Sequence, residues 1–149
     1  MRVSDRRGVV VGLCIACLSA AACARPAVEE EAQSRAVKVE QIEGSDLSRV
    51  TVTEEAAKRL DIQTSAVHTV LVRGVQRRVI PYAAILYDTE GHTWAYTTTE
   101  SLTFIRAPVT VDYIEGDVAV LSAGPPSGTL VVIVGAAELY GCEEEFEEE

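Results

Sequence analysis

The sequence predicts a mainly β protein, a small antiparallel β-barrel or sandwich with one short helix. Three observations predict it. Residues 79–139 are rich in Val, Ile, Thr, Tyr and Phe, whose branched or aromatic side chains suit a pleated, half-buried surface. Turn-forming groups interrupt that stretch at short intervals, at residues 88–91, 115–117 and 124–128. Within it, Val109, Val111 and Tyr113 alternate with Thr110 and Asp112, which puts one set on a core and the other in water.

The elements follow in chain order. Residues 49–53 (RVTVT) read as an opening strand, which needs partners among the later strands to satisfy its backbone groups. Thr53 is a good helix N-cap, Glu54 and Glu55 suit the positive start of a helix and Lys58 and Arg59 its far end, so a helix is expected over 54–60. Residues 62–72 return to strand-like sequence, and 73–78 form a basic connection before the strand that begins at Val79. The run Gly124-Pro-Pro-Ser-Gly128 ends a ladder on each side, because neither proline donates an N–H. The expected core comprises Val50, Val52, Leu60, Ile62, Val79, Ile85, Trp94, Val109, Val111, Val118, Val120, Val131 and Val132.

The two ends of the chain differ from this middle. Arg2, Arg6 and Arg7 precede an apolar run over 9–18, then the small residues 19–22 and Cys23, the layout of a bacterial export signal. The run is too short to span a bilayer. A cysteine directly after the small residues resembles the lipobox of bacterial lipoproteins, in which that cysteine is lipidated and becomes the mature N-terminus. Lipoboxes usually carry Leu three residues before the cysteine, where this chain has Ala20. Plain secretion and an uncleaved anchor are the alternatives, and Arg6-Arg7 also admits twin-arginine export. Cys14 and Cys17 sit inside the apolar segment and make a weak C-x-x-C motif. The expected division is a lipoprotein signal peptide over 1–22, a flexible polar tether over 23–46, a β-domain over 47–140 and a solvated acidic tail over 141–149.

Charge limits the partners. The chain carries 13 Lys+Arg against 23 Asp+Glu; without the three arginines and one aspartate ahead of Cys23, 10 remain against 22, a net charge of −12. Nucleic acid is disfavoured, since its phosphates call for a basic face. Arg73, Arg77, Arg78 and Arg106 form the only basic concentration, either a solvated face or a docking site for an acidic partner or lipid headgroups.

No catalytic constellation is visible. No serine or threonine has a nucleophile-elbow context, and His68 and His92 have no second ligand at metal spacing, so neither a catalytic residue, a metal site nor a cofactor is expected. The only methionine is the initiator, which removes a thioether site for soft metals. Cys142, among glutamates, reads as an exposed, poorly nucleophilic thiol. The acidic tail offers carboxylates for loose cation binding, but no preorganised cage.

Two segments carry a family resemblance. RVTVTEEAAKRLDIQTSAV is similar to the opening strand and short helix of many periplasmic adaptor (membrane-fusion) proteins of RND-type efflux pumps. VIPYAAILYDTEGHTWAYTT and FIRAPVTVDYIEGDVAVLSAGPPSGTLVVIVGAAEL resemble their C-terminal, membrane-proximal part, through I-P-x-x-A, G-x-x-W-x-Y, R-x-P-V-T-V and a closing V-V-x-x-G-A-x-E-L. In that family both chain ends combine into one β-domain that docks on the inner-membrane transporter. Full adaptors also contain a lipoyl-like domain, a helical hairpin and a β-barrel, whereas here only residues 68–78 lie between Val67 and Val79. The resemblance therefore implies an isolated membrane-proximal domain on a palmitoylated lipid anchor. It would lie on the extracytoplasmic side of the cell membrane, a non-enzymatic accessory of an RND- or ABC-type transporter. The alternative is a free-standing lipoprotein that binds a small ligand or cation. The resemblance extends the docking surface from residues 73–82 to residues 104–109.

Overall fold

A computed structural model describes residues 36–147. The expected signal peptide, Cys23 and the tether as far as residue 35 lie outside the described residues. In chain order the strands are β1 (Val37–Gln41), β2 (Ser48–Val52), β3 (Gln63–Ala66), β4 (His68–Val72), β5 (Val75–Pro81), β6 (Leu86–Tyr87), β7 (Thr93–Glu100), β8 (Thr103–Pro108), β9 (Thr110–Glu115), β10 (Val118–Ala123) and β11 (Leu130–Val134). The helices are α1 (Glu54–Arg59) and α2 (Ala136–Glu147). The strands form two antiparallel sheets: a larger one in the order β1-β2-β8-β7-β11-β3, with β6 also paired to β7, and a smaller one in the order β4-β5-β10-β9. Both sheets keep open edges, so of the two expected β architectures the sandwich is the one present.

Local chemistry explains the elements that sequence predicts. Thr53 Oγ1 accepts from the Ala56 N–H at 3.1 Å and caps α1. The β9–β10 turn uses Gly116 at φ 61°, a conformation glycine adopts without steric cost. β2 pairs with β8 through Val50 and Phe104, as the opening strand requires.

The larger sheet is buried on both faces. Ala95 and Val131 face the smaller sheet and pack with Val67, Ile80, Val109, Ala119 and Leu121. Their chain neighbours Tyr96 and Val132 point the other way, into a second core with Val50, Val52, Phe104 and Leu139. Period-two alternation thus feeds two cores from one sheet. α2 closes the second core, and α1 contributes Ala56 to it.

Several expectations are corrected. The tether does not run to residue 46: β1 pairs with β2 over the full length of both strands, and its Val37 and Val39 pack on the second core. Residues 73–78 are not a connection; Arg73-Gly74 is a two-residue turn with φ of 51° and 79°, and β5 begins at Val75. Tyr113 does not join Val109 and Val111 inside. Register shifts between β9 and β10 set Val111 opposite the core residue Leu121 but Tyr113 opposite Val120, which turns Tyr113 to the other face.

The solvated tail is also corrected. α2 includes Glu143, which has no exposure at all. Leu139 and Glu143 stand four residues apart on one helical face and both point at the larger sheet. Glu143 Oε2 lies 3.0 Å from Arg106 Nε, its Oε1 accepts the Ser48 N–H at 3.3 Å, and the Tyr96 hydroxyl donates to Oε2. Burial, and then the Glu143 carboxylate, hold the Tyr96 hydroxyl far above the usual phenol range, so it remains a donor. The Arg106 guanidinium lies 5.1 Å from the Trp94 ring centroid and 5.2 Å from that of Tyr140.

Two expected outcomes follow from this packing. Glu143→Ala should destabilise the fold by about 3–5 kcal/mol in chemical denaturation, because it takes the carboxylate away from a buried guanidinium, the Tyr96 hydroxyl and the Ser48 N–H, whereas the double variant Arg106→Met/Glu143→Gln, which keeps a side-chain acceptor there, should recover part of the loss. A double variant as unstable as Glu143→Ala would show that the pair is not what the single change breaks. Gly135 sits at φ 90° between β11 and α2, and a Cβ there would come within 2.9 Å of Ile62 Cγ1. Gly135→Ala should therefore cost at least about 1–2 kcal/mol, measured in the same way.

Candidate functional site

The four arginines expected to form one docking face are divided by the fold. Arg106 is buried against Glu143 on the helix side of the larger sheet. Arg78 is half-buried and turned the other way along β5 from Arg77, where its Nη1 donates to the carbonyls of Gly124 and, at 3.2 Å, Pro125. It pins the proline-rich loop. Residues 104–109 do not share a surface with residues 73–82 either: Phe104, Arg106 and Val109 are buried, and β8 lies inside the larger sheet. The physical reason is strand alternation combined with two sheets, which sends neighbours in sequence to opposite faces.

Arg73 and Arg77 do come together, in a cleft at one end of the smaller sheet. Pairing between β5 and β10 spans residues 78–81 of β5, so the β4–β5 tip projects past the end of the ladder. Between that tip and β9 is a cleft of about 720 Å3, lined by Val72, Arg73, Val75 and Arg77 on one side and by Asp112, Tyr113, Ile114 and Glu115 on the other. Arg77 Nη2 approaches Asp112 Oδ2 at 3.6 Å, with both side chains partly exposed. Arg73 makes no ion pair among the described residues. Val75, Tyr113 and Ile114 are exposed here, beside Val70 and Leu71. A lining that mixes exposed apolar side chains with charges of both signs suits an amphipathic protein segment, because apolar area supplies affinity and charges set orientation.

A second polar cluster forms at the β6–β7 turn. Asp88 Oδ1 accepts the N–H groups of Glu90 and His92 at 2.9 and 2.8 Å, and Oδ2 accepts the Trp94 indole N–H at 2.9 Å and lies 3.1 Å from His92 Nδ1. The Trp94 hydrogen bond, followed by those from His92 and Glu90, holds the Asp88 carboxyl down at about 2. Ligand atoms of Asp88, Glu90 and His92 fall within 4.8 Å of one another, a grouping that the sequence spacing did not foretell. Asp88 is occupied by donors that order the turn, and this closes the loop and positions Trp94 under Arg106. His68 lies exposed on β4, opposite Val79. Cys142 is half-buried on α2, and burial followed by Glu145 pushes its thiol up.

Sequence reasoning missed Glu143 and the Asp88 clasp. The signal for the first was the four-residue step from Leu139 to Glu143 in a helix-compatible run; the second was the Asp-x-x-Gly-His-x-Trp spacing, an Asx-turn followed by an indole donor.

Comparison with known proteins found no matching family model, no matching curated protein and no matching solved structure. The likeness to membrane-proximal adaptor domains accordingly rests on the sequence motifs alone.

The Asp88 clasp has a checkable pH dependence. Its carboxyl is lowered in the folded state relative to an ordinary aspartate near 4, so the stability it contributes is complete above that value and is lost as pH falls through about 2. Asp88→Asn should remove this contribution at neutral pH and flatten the stability profile between about pH 4 and 2, measured by thermal unfolding across that window. A wild-type profile that the substitution leaves unaltered would remove Asp88 as the group responsible.

Proposed function

We propose that the chain is a non-enzymatic, lipid-anchored accessory of a membrane transporter of the RND or ABC type, working on the extracytoplasmic side. The single observation that supports this most is the cleft between the β4–β5 tip and β9: exposed Val75, Tyr113 and Ile114 flanked by Arg73, Arg77, Asp112 and Glu115. Exposed apolar side chains gathered with charges are what a docking surface for another protein needs. The adaptor-like motifs supply the kind of partner, and the lipobox-like Cys23 supplies the anchor. Among the described residues no helix is long and apolar enough to cross a membrane.

The docking surface is narrower than the arginine count suggests. Arg78 and Arg106 serve the fold, which leaves Arg73 and Arg77 to meet acidic groups of a transporter loop. Cation binding by the acidic end of the chain is correspondingly weakened, since Glu143 is already committed to Arg106 and Tyr96.

Arg73→Glu/Arg77→Glu should leave the fold intact, because an exposed pair such as Arg77–Asp112 contributes at most about 1 kcal/mol. The same variant should lower recovery of the transporter by cross-linked co-purification from native membranes. Recovery at the wild-type level would exclude this cleft as the interface. Labelling with a radioactive fatty acid should mark the wild type and not Cys23→Ser, and Cys23→Ser should be released from the membrane; retention of the unlabelled variant would count against the anchor.

A further inference from the structure

We infer that β4 is a self-association edge, through which two copies of this chain pair antiparallel and join their smaller sheets into one. This goes beyond the transporter reading and does not depend on it. An edge strand exposes a row of unpaired backbone N–H and C=O groups, and natural sheets blunt such edges with charges, prolines, bulges or brevity. The main sheet edges of this protein can be compared one by one. β1 carries Lys38 and Glu40, paired with each other at 2.8 Å and exposed. β3 has four residues, and its pairing with β11 slips between Val132 and Val134. β9 carries Asp112 and Glu115 and is bulged against β10.

β4 has none of these guards. Its sequence His-Thr-Val-Leu-Val contains no Lys, Arg, Asp, Glu or Pro, and all five residues pair with β5 from His68↔Val79 to Val72↔Val75 without a register shift. Residues 68–71 are exposed, Leu71 by 74%. A regular, neutral, apolar edge is a template for another strand.

The strand's own sequence favours a second copy as that strand. In a two-fold pairing centred on Val70, Val70 meets its counterpart, Thr69 meets Leu71 of the second copy, and His68 meets Val72. Both Thr69–Leu71 pairs fall on one face, so each exposed leucine gains an apolar neighbour. No charge opposes a like charge: Arg73 falls opposite Val67 of the second copy, which places the two turns at opposite ends of the seam. Such self-matching is what an isologous interface requires. Five residue pairs bury less than the roughly 1,200 Å2 of a standard stable interface, so the association should be weak and concentration-dependent.

The test is disulfide trapping of the full-length chain in a background in which Cys14, Cys17, Cys23 and Cys142 are all replaced by Ser. Val70→Cys should give a cross-linked dimer under mild oxidation, whereas Tyr87→Cys, an exposed site away from the edge, should not. Adding Leu71→Lys should lower the trapped fraction about tenfold by removing both Thr69–Leu71 contacts, with near-ultraviolet circular dichroism reporting an intact fold. Trapping of Val70→Cys no greater than that of Tyr87→Cys overturns the inference. So does a trapped dimer unaffected by Leu71→Lys, or trapping of Val70→Cys to a different protein in place of its own copy.

Discussion

A carboxylate with no exposure can rest against the face of a sheet only if the sheet offers it a cation and donors, and this requirement organises the helix side of the protein. Glu143 finds Arg106 from β8, the Tyr96 hydroxyl from β7 and the Ser48 N–H from β2. The β7–β8 hairpin and the sequence-distant β2, neighbours in the larger sheet, are thereby tied to one residue of the C-terminal helix. Arg106 is in turn flanked by Trp94 and Tyr140, so its charge is held by aromatic faces as well as by the carboxylate. A buried pair of this kind adds little net stability compared with apolar residues of the same volume, but it selects the helical face that turns inward, because another rotation of α2 would separate Glu143 from Arg106, Tyr96 and Ser48.

The two sheets are joined by short crossings. Val67 lies between β3 in one sheet and β4 in the other, with its N–H bonded to the Thr129 carbonyl at 2.8 Å and its own carbonyl accepting the Gly128 N–H. Val109 makes the same passage between β8 and β9, with its N–H on the Thr93 carbonyl and its carbonyl on Thr93 Oγ1. Both valines are buried in the inter-sheet core. A backbone that leaves one ladder for another must satisfy its polar groups at the crossing, and these local bonds do so.

The resulting molecule is asymmetric. Its larger sheet is covered on both faces and guarded at β1 by charge, while the smaller sheet keeps exposed Val70, Leu71, Val75, Tyr113 and Ile114 at one end. There β4 and β5 continue past the β5–β10 ladder. Both proposed contacts, along the edge of β4 and in the cleft beside it, would draw on these side chains, while α2 with its Glu143–Arg106 pair covers a face of the larger sheet.

The sequence by itself determined the class of fold, the α1 cap at Thr53, the turns at residues 88–91 and 115–117, the break at residues 124–128 and the pairing of the opening strand, because each follows from local propensity and short-range periodicity. Much of the core was legible for the same reason: Val50, Val52, Val131 and Val132 are buried as their pattern implies. Tertiary structure alone decided the rest. A bulge that shifts register by one position turned Tyr113 outward. Long-range pairing sent Arg106 into the interior and Arg78 to the proline-rich loop, leaving Arg73 and Arg77 in a cleft that no linear basic cluster could delimit. That Glu143 is the buried one among the described glutamates 143–145 depends on where Arg106 stands when the sheet is complete. That position is fixed by contacts spanning dozens of residues, beyond the reach of any local pattern.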